Sequence, residues 1–171
     1  EVMSLELDVA DPVLGLEATL FYSVFEKEDV ITRSITVKNS SEETIYLTKI
    51  MSLSLDMDQE DYRMLTLHGS WARERQMDFR SIGYGKQNVG STRGESSHQE
   101  HPFVALVSEK ATQESGCVYG FHFVYSGNFL AQVEKSQFDS LRVQMGIHPD
   151  NFCYQLCPGD SFVAPEVVMT Y

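Results

Sequence analysis

"TIYLTKIMSLSLDM", residues 44–57, alternates apolar and polar side chains with a period of two. Ile45, Leu47, Met51, Leu53, Leu55 and Met57 share one side of an extended chain, and Thr44, Thr48, Ser52, Ser54 and Asp56 share the other. Successive side chains of a strand point to opposite faces, so the run reads as a half-buried strand with one face to a core. The same device recurs on both sides of it. In "VITRSITVKNSSEE" (30–43), Ile31, Ile35 and Val37 oppose Thr32, Ser34 and Thr36 before a polar turn. In "SLRVQMGI" (140–147), Leu141, Val143, Met145 and Ile147 line up.

Two other segments are apolar or aromatic on both faces. "LEATLFYSVFE" (16–26) alternates Leu20, Tyr22 and Val24 with Phe21 and Phe25, and "CVYGFHFVYSGNF" (117–129) alternates Tyr119, Phe121, Phe123 and Tyr125 with Val118 and Val124. That pattern predicts central strands covered on both sides. Pro165, in the closing "GDSFVAPEVVMTY", predicts an edge or a bulge. Turn signals such as "KNSSEE", "SGN", "HPDN" and "CPGD" separate the runs at hairpin-like spacing. Residues 83–102, "GYGKQNVGSTRGESSHQEHP", read as a long loop or a loosely paired hairpin, and "DQEDY" (58–62) as a short helical turn. Taken together the pattern predicts an all-β sandwich of antiparallel strands.

At 171 residues the chain fits one domain or a large piece of one, long enough for a core without staples. Its net charge of -12 repels phosphate backbones and anionic membrane surfaces, which excludes nucleic acid and membrane as partners and leaves neutral substrates. No apolar run reaches the length of a membrane span. The opening "EVMSLELDVADPV" has neither half of a signal peptide, and a start at Glu1 reads as a piece of a longer chain. Cys117, Cys153 and Cys157 are an odd set without a zinc-type ligand pair, so reduced, partly buried thiols and a cytoplasmic location are expected.

Candidate chemistry is sparse. His98, Glu100 and His101 in "SSHQEHPF" are metal-ligand types, but in an extended segment His98 and Glu100 point one way and His101 the other. The reading there is a hydrogen-bonded loop, with no metal and no cofactor. Asp56, Asp58, Glu60 and Asp61 are carboxylates of the kind a glycosidase pairs across a scissile bond, and a solvated turn accounts for them. No nucleophile elbow, P-loop or dinucleotide fingerprint is present. Trp71, Arg73 and Arg75 in "HGSWARERQ" (68–76) suit a sugar, with an aromatic face for C–H groups and guanidinium forks for hydroxyls. The plain alternative packs Trp71 in the sandwich and pairs one arginine with Asp78 or a neighbouring domain.

The order of the segments adds a resemblance. "LHGSWARERQ", "SIGYGKQNVGSTRGESSHQEHPFVAL", "GCVYGFHFVYSGNFLAQVE" and "QFDSLRVQMGIHPDNFCYQLCPGDSFVAPEVVMTY" are together similar to bacterial α-galactosidases of glycoside hydrolase family 36, as is "VITRSITVKNSSEETIYLTKIMSLSLDM". The similarity covers nearly the whole chain. It implies a galactose-mutarotase-like β-supersandwich, residues 1–171 being most of that domain within a larger N-terminal domain. A catalytic (β/α)8 barrel carrying the two catalytic aspartates would follow residue 171, so no catalytic residue is expected in this chain. The parent would hydrolyse terminal α-galactosyl residues of oligosaccharides such as raffinose and melibiose, with retention, as a dimer or tetramer.

By the same resemblance Trp71, Arg73, Arg75, Arg93 and His98 are the residues expected to dock the barrel or border its sugar site. His101 stands where members tend to carry asparagine. Cys153 and Cys157 stand where an aromatic and a glutamate-like residue are usual. The other reading is an independent carbohydrate-binding or mutarotase-like sandwich. Such an enzyme would need a histidine–glutamate pair in a concave sheet, and the sequence offers His122 for it without an evident glutamate partner.

Overall fold

A computed structural model describes residues 2–58 and 61–171. Glu60, and with it the middle of the turn expected over 58–62, lies outside the described residues. Among the described residues there are strands and turns but no α-helix. In chain order the strands are β1 (Val2–Asp11), β2 (Leu16–Phe25), β3 (Val30–Asn39), β4 (Ile45–Leu47), β5 (Met51–Asp58), β6 (Tyr62–Ser70), β7 (Arg73–Ser81) and β8 (Gly85–Ser91). They continue with β9 (Glu100–Ser108), β10 (Val118–Phe123), β11 (Phe129–Lys135), β12 (Ser140–Ile147), β13 (Tyr154–Leu156), β14 (Ser161–Val163) and β15 (Val167–Thr170).

The main sheet runs β1-β2-β3-β15-β10-β9-β6-β7, with β14 also paired to β3. The ladders of this sheet are antiparallel, as the hairpin-spaced turns require. A second layer, β11-β12-β5, packs against it. Its register aligns Leu53 with Met145, Leu55 with Val143 and Met57 with Leu141, and β11 adds Phe129, Ala131 and Val133 on the same face. Across the layer boundary stand Met64, Val104, Leu106, Phe121 and Phe123 of the main sheet, all in one buried cluster with them. The polar parity of β12 faces outward, where the Arg142 guanidinium donates two hydrogen bonds to the Asp56 carboxylate at 2.6 and 2.9 Å. That guanidinium holds the Asp56 carboxyl below its ordinary range. The half-buried reading of residues 140–147 is therefore what the sandwich uses.

The stretch 44–57 is two strands, not one. β4 pairs with β13 in a separate ribbon, while β5 pairs with β12. The register of β5 and β12 shifts at Met145/Gly146, and parity changes with it: Ile50 is buried and Met51 only half-buried. Gly146 is obligatory at that shift, since a Cβ there would meet the Ile50 carbonyl oxygen at 2.7 Å. β3 also departs from strict alternation. Thr32 and Arg33 are buried on adjacent positions while Ile31 is exposed, because the Arg33 guanidinium lies over the Tyr22 ring and donates to the Ser54 carbonyl.

Neither two-faced segment is covered on both sides. β2 is half-buried along most of its length, and β1 beside it is exposed throughout. β10 buries Phe121 and Phe123 but exposes Val118 and His122, as the chain does Val124 just beyond it, because the second layer covers only one face of the sheet. Pro165 falls in a break between β14 and β15, both of which pair β3; β15 lies between β3 and β10, so the proline marks an interruption, not an edge. The end of β3 is fastened by Asn39, which is fully buried. Its Nδ2 donates to the Glu43 and Leu156 carbonyls at 2.7 and 2.9 Å, and its Oδ1 accepts from the Ser41 amide and hydroxyl. The three cysteines are free thiols, and Cys153 is exposed instead of partly buried.

Candidate functional site

Two irregularities flank one strand. On its β7 side, His68 of β6 pairs Gln76 and Ser70 pairs Arg73, so the single residue Gly69 faces both Glu74 and Arg75. The backbone of Arg75 takes φ 57° at this bulge. Only glycine can sit opposite, since a Cβ at position 69 would lie 2.3 Å from the Arg73 carbonyl oxygen. On the other side of β6, Thr66 pairs Val104 and His68 pairs Glu100, leaving Leu67 opposite His101, Pro102 and Phe103. Extra residues in a ladder bend the strand and re-aim side chains. Here both distortions lie at the same end of the sheet.

Between them opens a cavity of about 520 Å³, lined by Glu74, Arg75, Ser96, Ser97, His98, His101, Pro102 and His122. The His101 and His122 rings stack with centroids 5.6 Å apart and planes 22° from parallel. Burial pushes both imidazoles below the ordinary histidine range; for His101 the neighbouring His122 and the Arg75 charge push the same way. His101 Nδ1 is buried with no hydrogen-bond partner among the described residues. One oxygen of Glu74 accepts the Ala72 amide at 2.9 Å.

The outer wall is the segment 92–99, and it is fastened. Gly94 N donates to Asn128 Oδ1 at 2.6 Å, Ser96 N to the Ser126 carbonyl at 2.8 Å, and Ser91 Oγ to the Glu95 carbonyl at 2.6 Å. The expected long loop over 83–102 is thus shorter, because 85–91 forms β8 and residue 100 begins β9.

Of the residues singled out from the sequence, Arg75 and His98 line the cavity, whereas Trp71, Arg73 and Arg93 do not. Trp71 is 86% exposed at the tip of the β6–β7 hairpin, so it does not pack in the sandwich. Asp78 pairs with Arg80 at 2.7 Å, not with Arg73 or Arg75. Arg93 donates to the Gln99 side-chain oxygen. The predicted directions of His98, Glu100 and His101 are also overturned. Glu100 turns to His68, 3.1 Å away, while His98 and His101 both reach the cavity. His98 lies in a bend before β9 begins at Glu100 and His101 lies in the β9 distortion, so the strict alternation on which the expectation rested does not hold there. Among the described residues no group of three His, Cys, Asp or Glu could hold a metal ion.

Besides His122 in β10, His68 in β6 and His101 in β9 are strand histidines. A glutamate does stand in its cavity, Glu74, which no spacing in the sequence linked to it. One overlooked signal is Pro102 inside "EHPFVAL". Proline within an inner strand has to sit at a bulge, so the segment announced its own irregularity.

The family described as "Glycosyl hydrolase family 36 N-terminal domain" matches residues 1–157. α-Galactosidase AgaA of Geobacillus stearothermophilus is 48% identical over all 171 residues, which make up 24% of its own length. α-Galactosidase 1 of Pediococcus pentosaceus is 41% identical over the whole chain and 23% of its length. The chain thus spans about a quarter of these relatives. A crystal structure of a substituted AgaA in complex with raffinose superposes with a TM-score of 0.98, covering all of this chain and 24% of that one. A putative aldose 1-epimerase from Escherichia coli K12 superposes at TM-score 0.59 over 99% of this chain and 64% of that one, with 10% identity. That last likeness speaks for the mutarotase-like fold alone. No helix among the described residues is long and apolar enough to cross a membrane.

Proposed function

Since the chain belongs to the glycoside hydrolase family 36 N-terminal domain family, we propose that it is the non-catalytic N-terminal domain of an α-galactosidase. The parent protein cleaves terminal α-galactosyl residues from oligosaccharides such as raffinose and melibiose. Its two catalytic aspartates reside in a barrel that follows residue 171, and the parent is a cytoplasmic homo-oligomer. This chain's part is to dock on the catalytic portion, or on a neighbouring subunit, and frame the sugar site.

The observation that carries the reading is the apolar exposure of the terminal hairpin. Trp71 at its tip, with Met77 and Phe79 along β7, leaves large apolar surface in water on the last pair of the main sheet. Several large apolar side chains left in water on one hairpin mark a candidate contact surface. Arg73 beside the tip is exposed and supplies charge there, and Arg93 is exposed on the segment 92–99. The relatives' remaining three-quarters of chain provide ample surface to meet it.

The test uses the full-length protein. Trp71→Ala, Arg73→Ala and Arg93→Ala are assayed for hydrolysis of an aryl α-galactoside and for assembly by analytical ultracentrifugation. At least the tryptophan variant should lose assembly or activity. Wild-type behaviour of all three in both assays overturns the docking role, and turnover by residues 1–171 alone overturns the non-catalytic one.

A further inference from the structure

The cavity flanked by the two bulges is separate from the exposed ledge of Trp71, Met77 and Phe79, and docking does not explain its contents. We propose that it is a binding site for a neutral hexopyranose, with Arg75, His101 and His122 as the principal polar contacts.

The side chains decide the ligand class. Arg75 brings one positive charge and Glu74 one negative, so the wall has no net charge to select an anion or a cation. A chain of net charge -12 further disfavours anions. Desolvation lowers the pKa of His101 and of His122 and so favours the neutral imidazole, which offers one donor and one acceptor. Serine hydroxyls at 96 and 97 offer both as well. A ligand made of hydroxyl groups, each donor and acceptor at once, complements this set. The exposed face of His122 gives a ring surface for the C–H side of a sugar ring. The volume of about 520 Å³ lies within the ordinary span of small-molecule clefts.

Backbone geometry points the same way. Arg75 occupies the left-handed region at φ 57°, a conformation that costs free energy for a side-chain-bearing residue and persists where the surroundings enforce it. The bulge that imposes it turns Arg75 toward the two imidazoles. The segment 92–99 is fixed by backbone and side-chain hydrogen bonds, so the wall is formed before a ligand arrives.

Hydrogen–deuterium exchange on the full-length protein, read by mass spectrometry with and without D-galactose, tests the site where it lies. At a sugar concentration ten times Kd, amides in peptides covering 70–76 and 95–102 should exchange up to about tenfold more slowly. His122→Phe and Arg75→Gln should each abolish that protection, while protection in peptides beyond residue 171 and the sedimentation of the assembly stay unchanged. Arg75→Gln keeps the proposal testable if the histidine variant misfolds. Absence of protection in both peptides, persistence of it in both variants, or protection by sulfate in place of sugar overturns the site. Loss of assembly in Trp71→Ala with galactose protection intact would separate this site from the docking role.

Discussion

His101 and His122 come from neighbouring strands, β9 and β10, and stack face to face at 5.6 Å beside the Arg75 guanidinium. Desolvation disfavours the charged form of both rings, and for His101 the neighbouring His122 and the Arg75 charge add to that cost. Their folded pKa values lie below the ordinary histidine value, so between the two values the unfolded chain binds more protons than the folded one. Stability therefore rises with pH through that window and is lost as pH falls through the depressed values. Thermal melts from pH 7.5 down to pH 5 should show a falling Tm. His122→Phe, which keeps a stacking ring without a proton, should flatten the fall; an unchanged slope would remove these residues from the account.

Gly69 is the hinge of the β7 bulge, and its missing Cβ is what lets the Arg73 carbonyl cross so closely. The obstructing atom is backbone, which cannot swing aside as a flexible side chain does. Gly69→Ala should destabilise the fold by about 1–3 kcal/mol, the range of ordinary overpacking. It should also withdraw Arg75 from the cavity, so urea melts and galactose protection would respond together.

Asn39 answers a different demand, that of a buried amide with every hydrogen-bonding group engaged. Asn39→Ala strands the carbonyl of Leu156 and the amide of Ser41 and should cost about 1–3 kcal/mol in urea unfolding. Asn39→Asp keeps the acceptor for Ser41 but sets a carboxylate against two carbonyl oxygens. It should be no better tolerated than alanine, and less so at high pH than at low.

Two aromatic residues give opposite expectations. Phe121 is fully buried between the layers, and Phe121→Ala should cost about 3–5 kcal/mol. Trp71, 86% exposed at the hairpin tip, should be removable for less than about 0.5 kcal/mol when unfolding of residues 1–171 alone is measured, whatever its loss costs the docked assembly. A large stability loss for Trp71→Ala there would mean that the ring packs within this chain, contrary to its exposure.

The strands of the second layer were the most legible part of the sequence. Leu141, Val143, Met145 and Ile147 keep strict parity because one of their faces meets a core and the other meets water. Legibility failed where a ladder is irregular. At Gly146 the parity of residues 50 and 51 exchanges, and at His101–Phe103 three residues stand against one, so side-chain directions inferred by counting in twos come out wrong. The candidate site was half visible for the same reason. Arg75 and His98 stood out by residue type, whereas Glu74 and the pairing of His101 with His122 depend on which strands become neighbours. Aromatic content on both faces of β10 was a weaker guide, since His122 and Val118 look out from an uncovered sheet.

The paired bulges beside β6 also separate what can vary from what cannot. Upstream of them Met64 faces Leu106 and Thr66 faces Val104, all fully buried and in plain register. A residue gained or lost at 74–75 or 101–103 would be absorbed by ladders that are already irregular there, without disturbing those pairs. The outline of the cavity is therefore free to drift from one descendant sequence to the next while the sandwich beneath it stays constant. Differences in ligand preference among otherwise similar chains should then gather in these few positions, as short insertions and deletions more than as changes in the core.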